Sequence, residues 1–336
     1  MAPALTAPAP GPASRRSPRR GLPPVAGLLV LSPVCAEYLI GYDQIIGRPL
    51  ELLSGLLLLA PLYGAAAVLI REITRRAGRG WPTILLLSAA CGLAQAGLVD
   101  QSLFNPGFVD DPSWDRERLP TLVSALGISA SHVLNFVAGH VIWSFAAPIA
   151  VVEACVPRLA DRPWLGKAGT GVMVVLYGLA ILVFSHEHTR DFMAAPRQLG
   201  ATAALVLALV VAAFALPRRR AARPGRAPSP WPVAGIALVL LAAHQLFPPT
   251  WEGAVADVLV LTSLGGMLWW WSAREGWGRM HALAVGGAAL LVNAGLSFAV
   301  EPLGDVSYAA KYAANAALLL AVLALLAGAR RRLRGA

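Results

Sequence analysis

Residues 131–157 read "SHVLNFVAGHVIWSFAAPIAVVEACVP", a run long and apolar enough to cross a hydrocarbon core that nonetheless carries His132, Asn135, His140 and Glu153. A helix needs roughly 20 apolar residues for such a crossing, and an ionisable group within it costs roughly 2.5–3.5 kcal/mol unless it faces protein or water. The stretch therefore announces a membrane protein whose spans keep polar groups for a reason.

The rest of the chain agrees. Of its 336 residues 57% are hydrophobic and 14% are charged, against about a quarter charged in soluble domains. The pattern predicts an all-α, polytopic transmembrane bundle of ten helices, near 24–42, 51–70, 82–103, 131–156, 168–186, 198–216, 231–247, 253–271, 281–300 and 306–328. The apolar stretch 119–130 reads as an interfacial or re-entrant piece, because a further span there would invert every later loop.

The net charge of +10 comes from Arg clusters between apolar runs, which speaks for topology and against nucleic acid. The segments "REITRRAGRG", "RLADRPWLGK", "PRRRAARPGRAPSP", "SAREGWGRM" and both termini hold 22 of the 28 Lys and Arg residues. Opposite them lie "NPGFVDDPSWDRER", "HEHTRD" and "EPLGD". The positive-inside rule then puts both termini in the cytoplasm and the chain in the cell (plasma) membrane, with the lipid bilayer as its partner. The basic-then-apolar order of the first forty residues reads as an uncleaved first helix. Trp269, Trp270 and Trp271 read as a headgroup anchor.

The expected organisation is a disordered cytoplasmic tail (1–22), a first five-helix half (23–216), an Arg- and Pro-rich cytoplasmic linker (217–230), a second five-helix half (231–328) and a basic cytoplasmic tail (329–336). Two sets of five helices enter the membrane with opposite orientation, the topology of an inverted repeat.

Four residues form the candidate intramembrane polar site: Glu37, Asp100, Asn135 and His140. Depth along the spans places Glu37, Asp100 and His140 toward one outward-facing cavity. On an ideal helix Asn135 and His140, five positions apart, diverge by about 140°. Glu153 and Glu72 read as structural ion-pair partners of nearby Arg residues. His186 and His188 are weak candidates for a metal held by an extended loop. A pair between Asp257 and Lys311 is conceivable from depth alone. Cys35, Cys91 and Cys155 show no paired spacing, so neither a disulfide framework nor a zinc site is expected. No cofactor motif occurs, and the absence of P-loop, GxGxxG, GxSxG and HExxH patterns leaves no soluble catalytic domain to assign.

One pattern resembles a known family. Phe136 to His140 reads FxxxH, and about forty residues earlier "QAGLVDQSLF" occupies the place of the paired-glutamate motif of the CPBP intramembrane proteases, the CAAX- and bacteriocin-processing family. Gln95 and Ala96 stand at the glutamate positions and Asp100 at the arginine position, so the resemblance implies an inactive, hydrolase-like relative. The residues by themselves favour a transporter or permease-like carrier, with proton coupling through the intramembrane site. An intramembrane hydrolase and a non-catalytic scaffold are the alternatives.

Overall fold

A computed structural model describes residues 21–218 and 221–336, so most of the expected N-terminal tail and two linker arginines lie outside the described residues. The molecule is an all-α polytopic bundle. Eight helices are long and apolar enough to span a membrane: α2 (Pro49–Arg76), α3 (Trp81–Val99), α5 (Ala130–Cys155), α6 (Lys167–His188), α7 (Pro196–Ala215), α9 (Trp251–Trp271), α10 (Arg279–Leu296) and α11 (Tyr308–Arg334). Two shorter apolar helices, α1 (Leu22–Tyr38) and α8 (Pro230–Leu246), complete the ten. The remaining helix, α4 (Pro112–Arg118), is a surface turn capped by the Asp111 side chain.

Contacts between loops show that these ten helices alternate in direction. The Arg79 guanidinium donates to the carbonyl of Leu216 at 2.6 Å, Arg332 to that of Cys155 at 3.2 Å, and a ring nitrogen of His281 lies 2.8 Å from the Pro228 carbonyl. All these segments lie on one side, hereafter the basic face. At the opposite, acidic face the Leu303 amide donates to Tyr42 at 2.8 Å, Ala194 to the Gln101 side chain at 2.7 Å, and Gln198 to Leu126 at 2.8 Å.

Residues 119–130 make no crossing. They form a short turn and a two-residue hairpin, β1 (Leu122–Val123) with β2 (Ile128–Ser129), on the acidic face. Gly127, at φ +69°, makes the reversal in a conformation that L side chains rarely adopt. The expected ends need adjustment too. Helix α3 stops at Val99 and α10 at Leu296, whereas α11 continues through the Arg run to Arg334, because Ala, Leu and Arg all favour helix. The expected basic tail is thus mostly the last turns of a helix.

Helix α5 is the spine. Phe145, Ile149 and Val152 pack with Leu28, Ala66 and Ile70, while Trp143, Ala147 and Val151 pack with Leu241, Leu283 and Leu290. Two clusters that share α5 therefore join the first five helices to the last five. Without a hydrophobic force between helices in lipid, close packing needs small residues at crossings. A Cβ on Gly286 would come within 2.9 Å of the Ala150 Cβ, and one on Gly64 within 2.6 Å of the Leu29 carbonyl oxygen.

The lipid-facing helices are recognisable by the opposite property. Leu50, Leu57, Leu182, Val183 and Leu207 are exposed, and α6, α7 and α11 bury little of their surface. Trp269 and Trp270 are half exposed at the basic face, and the Arg223 guanidinium lies 4.1 Å from the Trp270 ring centroid.

Candidate functional site

A cavity of about 750 Å³ lies between the two sets of helices. Its walls run from acidic-face residues, including Tyr42, Ser102, Phe108 and Val300, down to Trp143 and Ser144 midway along α5. Glu37, Asp100, Asn135 and His140 all line it, so the structure brings together the four candidate residues.

Local backbone geometry explains the convergence. Five segments have π-helical bonding from residue i to i−5: Val34–Tyr38, Ala60–Gly64, Gln95–Val99, Leu134–Ala138 and His140–Ala146. Four contribute side chains to the cavity, and the fifth ends on Asp100, whose amide donates to the Gln95 carbonyl at 3.0 Å. A π turn inserts an extra residue and re-aims the side chains after it. It also brings residues five apart nearly over one another, which is why Asn135 and His140 share the cavity instead of diverging. Pro61, which has no amide hydrogen, opens one of these turns.

Glu37 is the centre of the polar wall. Tyr42 and Tyr63 each donate a hydroxyl hydrogen bond to one of its carboxylate oxygens, and among the described residues no Lys, Arg or His forms an ion pair with it. The Glu37 charge and then burial hold the Tyr42 hydroxyl well above its ordinary range, so Tyr42 remains a donor. The Tyr63 ring lies 5.8 Å from the His140 ring, and His140 Nδ1 is 3.1 Å from the Ser144 hydroxyl. The Ser144 carbonyl in turn accepts from the Ser32 hydroxyl at 2.5 Å. Gly92 makes room for this histidine, since a Cβ there would lie 2.6 Å from the His140 Cβ.

Asp100 accepts the Ser102 amide at 2.9 Å. Asn135 is exposed to the cavity, and Gln245 on α8 donates to Asn293 on α10 at 3.0 Å across its far wall. Glu117 stands at the rim, where burial pushes its carboxyl up despite the neighbouring Arg116.

His186 and His188 do not sit on an extended loop. Both belong to the last turn of α6, where two positions are about 200° apart, so they point to different sides. His186 is exposed, while His188 lines the cavity and stacks on Phe108 at 5.4 Å. Among the described residues no three His, Cys, Asp or Glu side chains gather closely enough to hold a metal ion.

The other buried charges are fixed elsewhere. Glu153 binds Arg71 at 3.0 Å and Arg75 at 2.6 Å. Glu72 binds Arg71 at 2.8 Å and accepts the amides of Trp164 at 2.6 Å and Leu165 at 3.2 Å. The Arg71 guanidinium also lies 3.6 Å from the Trp164 ring centroid. Asp257 and Lys311 are not partners: Asp257 lies 2.7 Å from His244 Nδ1, and Lys311 donates to the Ser297 carbonyl at 2.5 Å.

Reasoning from the sequence missed Tyr42, Tyr63 and Gln245, and it read Asn293 as a packing or anchoring residue rather than part of the cavity wall. A tyrosine inside an apolar span, two residues after Pro61, was the available signal for Tyr63. A model of an uncharacterized membrane protein family matches residues 28–334. No curated protein and no solved structure matches the chain.

Proposed function

We propose a permease-like carrier as the function of this chain, which belongs to that uncharacterized membrane protein family. One observation carries the reading: a cavity of about 750 Å³ holds Glu37 with two tyrosine donors and, among the described residues, no Lys or Arg in its lining. A carboxylate inside a bundle costs several kcal/mol to keep charged unless something compensates it. Fixed cations would compensate permanently, as at Glu153, whereas a proton or a cationic solute compensates reversibly. Reversible neutralisation of a group facing a cavity is what coupling a solute to a proton requires.

In this reading the plasma membrane holds the chain with both termini in the cytoplasm, so the cavity opens away from the cytoplasm. The two five-helix sets, 23–216 and 231–328, are the bodies that rock about α5, and the ion pairs among Arg71, Arg75, Glu72 and Glu153 keep the basic face shut in the state described. Flux into proteoliposomes under a pH gradient tests this. A panel of small organic cations and neutral solutes should yield at least one whose uptake depends on the gradient, and Glu37→Gln should abolish that dependence. Gradient-independent behaviour across the panel, with folded protein, would remove the carrier reading.

A second reading is favoured by one specific placement. Phe136 and His140, the FxxxH pair that resembles the CPBP proteases, line the cavity together with Asp100, which stands where that family has an arginine. It predicts a hydrolase-like relative that holds a peptide or lipid segment without cutting it, since Gln95 donates to the Leu62 carbonyl at 3.3 Å and Ala96 has no polar side chain. Stoichiometric zinc in the purified protein would revive a working hydrolase, and a scaffold without any solute predicts that His140→Ala alters stability alone.

A further inference from the structure

At the basic face two arginines stand against one indole ring with no anion to meet them. Strand β3 (Arg223–Arg226), in the segment between α7 and α8, pairs with β4 (Arg274–Glu275), just after α9. Arg223 and Arg274 are register partners, and the Arg223 amide donates to the Ala273 carbonyl at 2.9 Å, so the ribbon fixes their spacing. Register partners project their side chains from the same side of a ribbon. Both guanidinium groups accordingly reach the Trp270 ring, at 4.1 Å and 5.4 Å from its centroid. The two charges are no farther apart than those distances added together.

The protein itself answers neither charge. Among the described residues neither guanidinium forms an ion pair, and Arg223 Nη1 and Arg274 Nε are buried with no hydrogen-bond partner. Other arginines of the same face are treated differently: Arg71 and Arg75 bind Glu153, and Arg79 donates to the carbonyls at the end of α7. A guanidinium keeps its charge and offers donors only. Two of them side by side repel, and N–H groups closed off from water need an acceptor. The complement of this pair is an anion with several oxygens.

Depth in the membrane selects the anion. Trp269, Trp270 and Trp271 end α9 where indole rings favour the headgroup zone, and Trp270 is half exposed. Lipid phosphates lie at that depth, and each guanidinium fork can give a phosphate two parallel N–H bonds. Leu259, eleven positions before Trp270 and therefore on nearly the same face of α9, is exposed and continues an apolar track toward the bilayer centre. We infer that Arg223 and Arg274 hold the phosphate of one anionic phospholipid, with the Trp270 ring as the wall of the site and the acyl chains along α9. A zwitterionic lipid brings an ammonium group to the same two cations and is disfavoured. A free phosphate offers the same oxygens without the chains.

The site lies outside the cavity and does not rest on the carrier reading, because it needs neither gradient nor flux. Native mass spectrometry of the full chain, released from detergent after addition of phosphatidylglycerol, phosphatidylcholine or inorganic phosphate, tests it. The wild type should hold its first phosphatidylglycerol at least fivefold more tightly than phosphatidylcholine. Arg223→Gln combined with Arg274→Gln should remove that preference. Arg331→Gln combined with Arg334→Gln, the same loss of charge at exposed positions near the end of α11, should keep it. A preference that survives the first pair of substitutions, or falls equally with the second, overturns the inference. Equal retention of the two lipids by the wild type overturns it even if the first double variant does not fold. Inorganic phosphate bound as tightly as phosphatidylglycerol assigns the arginines to a free anion and overturns the lipid site.

Discussion

Two carboxylate sites inside the same bundle are built in opposite ways. At the basic face, Glu153 and Glu72 are enclosed by Arg71, Arg75 and the Trp164 and Leu165 amides, and the carbonyls of Leu159 and Ala160 accept from Arg71 Nη2 at 3.1 Å and 2.6 Å. Every charge there meets an opposite charge held by the chain itself. In the cavity, Glu37 meets two hydroxyls and open space. The first arrangement ties three segments, α2, α5 and the 156–166 loop, into one rigid corner. On the proposed carrier reading, the second leaves the charge to a proton or solute that comes and goes, whereas the first holds the fold.

Removing a partner from a buried ion pair leaves an uncompensated charge and costs about 3–5 kcal/mol. Glu153→Gln should therefore lower the unfolding midpoint the most of any change discussed here, with Arg71 and Arg75 left facing each other. Thermal unfolding in detergent checks this, and a midpoint unchanged within error would erase the contrast between the two sites. Gly92→Leu comes next: its side chain must displace His140, and overpacking of this kind costs about 1–3 kcal/mol. The same variant should also impair any flux that depends on the cavity.

Tyr63→Phe removes one donor to Glu37, a loss of about 1.5–3 kcal/mol for a hydrogen bond to a charged group if Glu37 stays ionised, and less if it takes up a proton. A stability loss that shrinks in Glu37→Gln, measured as a double-mutant cycle, sharpens the comparison by showing that the two side chains act together. Arg48→Ala, at the exposed pair with Glu51 on the acidic face, should change stability by about 0–1 kcal/mol. A larger effect there would mean that exposure does not divide these pairs as described.

Much of the fold was legible because its signals are one-dimensional. Ten apolar runs became ten helices, and the arginine clusters fell on one face. The ion pairs at Glu153 were legible for the same reason, since Arg71 and Arg75 lie at the matching end of the neighbouring span. What the sequence hid is three-dimensional and local. An ideal helix puts Asn135 and His140 on different faces, yet two consecutive π-helical segments, Leu134–Ala138 and His140–Ala146, bring both to the cavity. Nothing in "LNFVAGHVIWSFA" marks where the bonding changes from i−4 to i−5, because those turns depend on packing against α3 and α10 as much as on the residues themselves. Tyr63 and Asp257 were obscured differently, their partners lying 26 and 13 positions away on other elements. The short hairpin at 122–129 escaped because its residues are as apolar as a span.

Accessibility of the cavity from one face only is the claim on which the rest depends. It is measured most directly by placing single cysteines at Asn135, Ala299 and Glu153 in a chain whose Cys35, Cys91 and Cys155 are replaced by alanine, and labelling sealed vesicles of either orientation with a charged thiol reagent that does not cross lipid. Cysteines at 135 and 299 should react only from the acidic face, and the cysteine at 153 from neither. Reaction at 135 or 299 from the basic face alone, or from neither face in folded protein, would contradict the account.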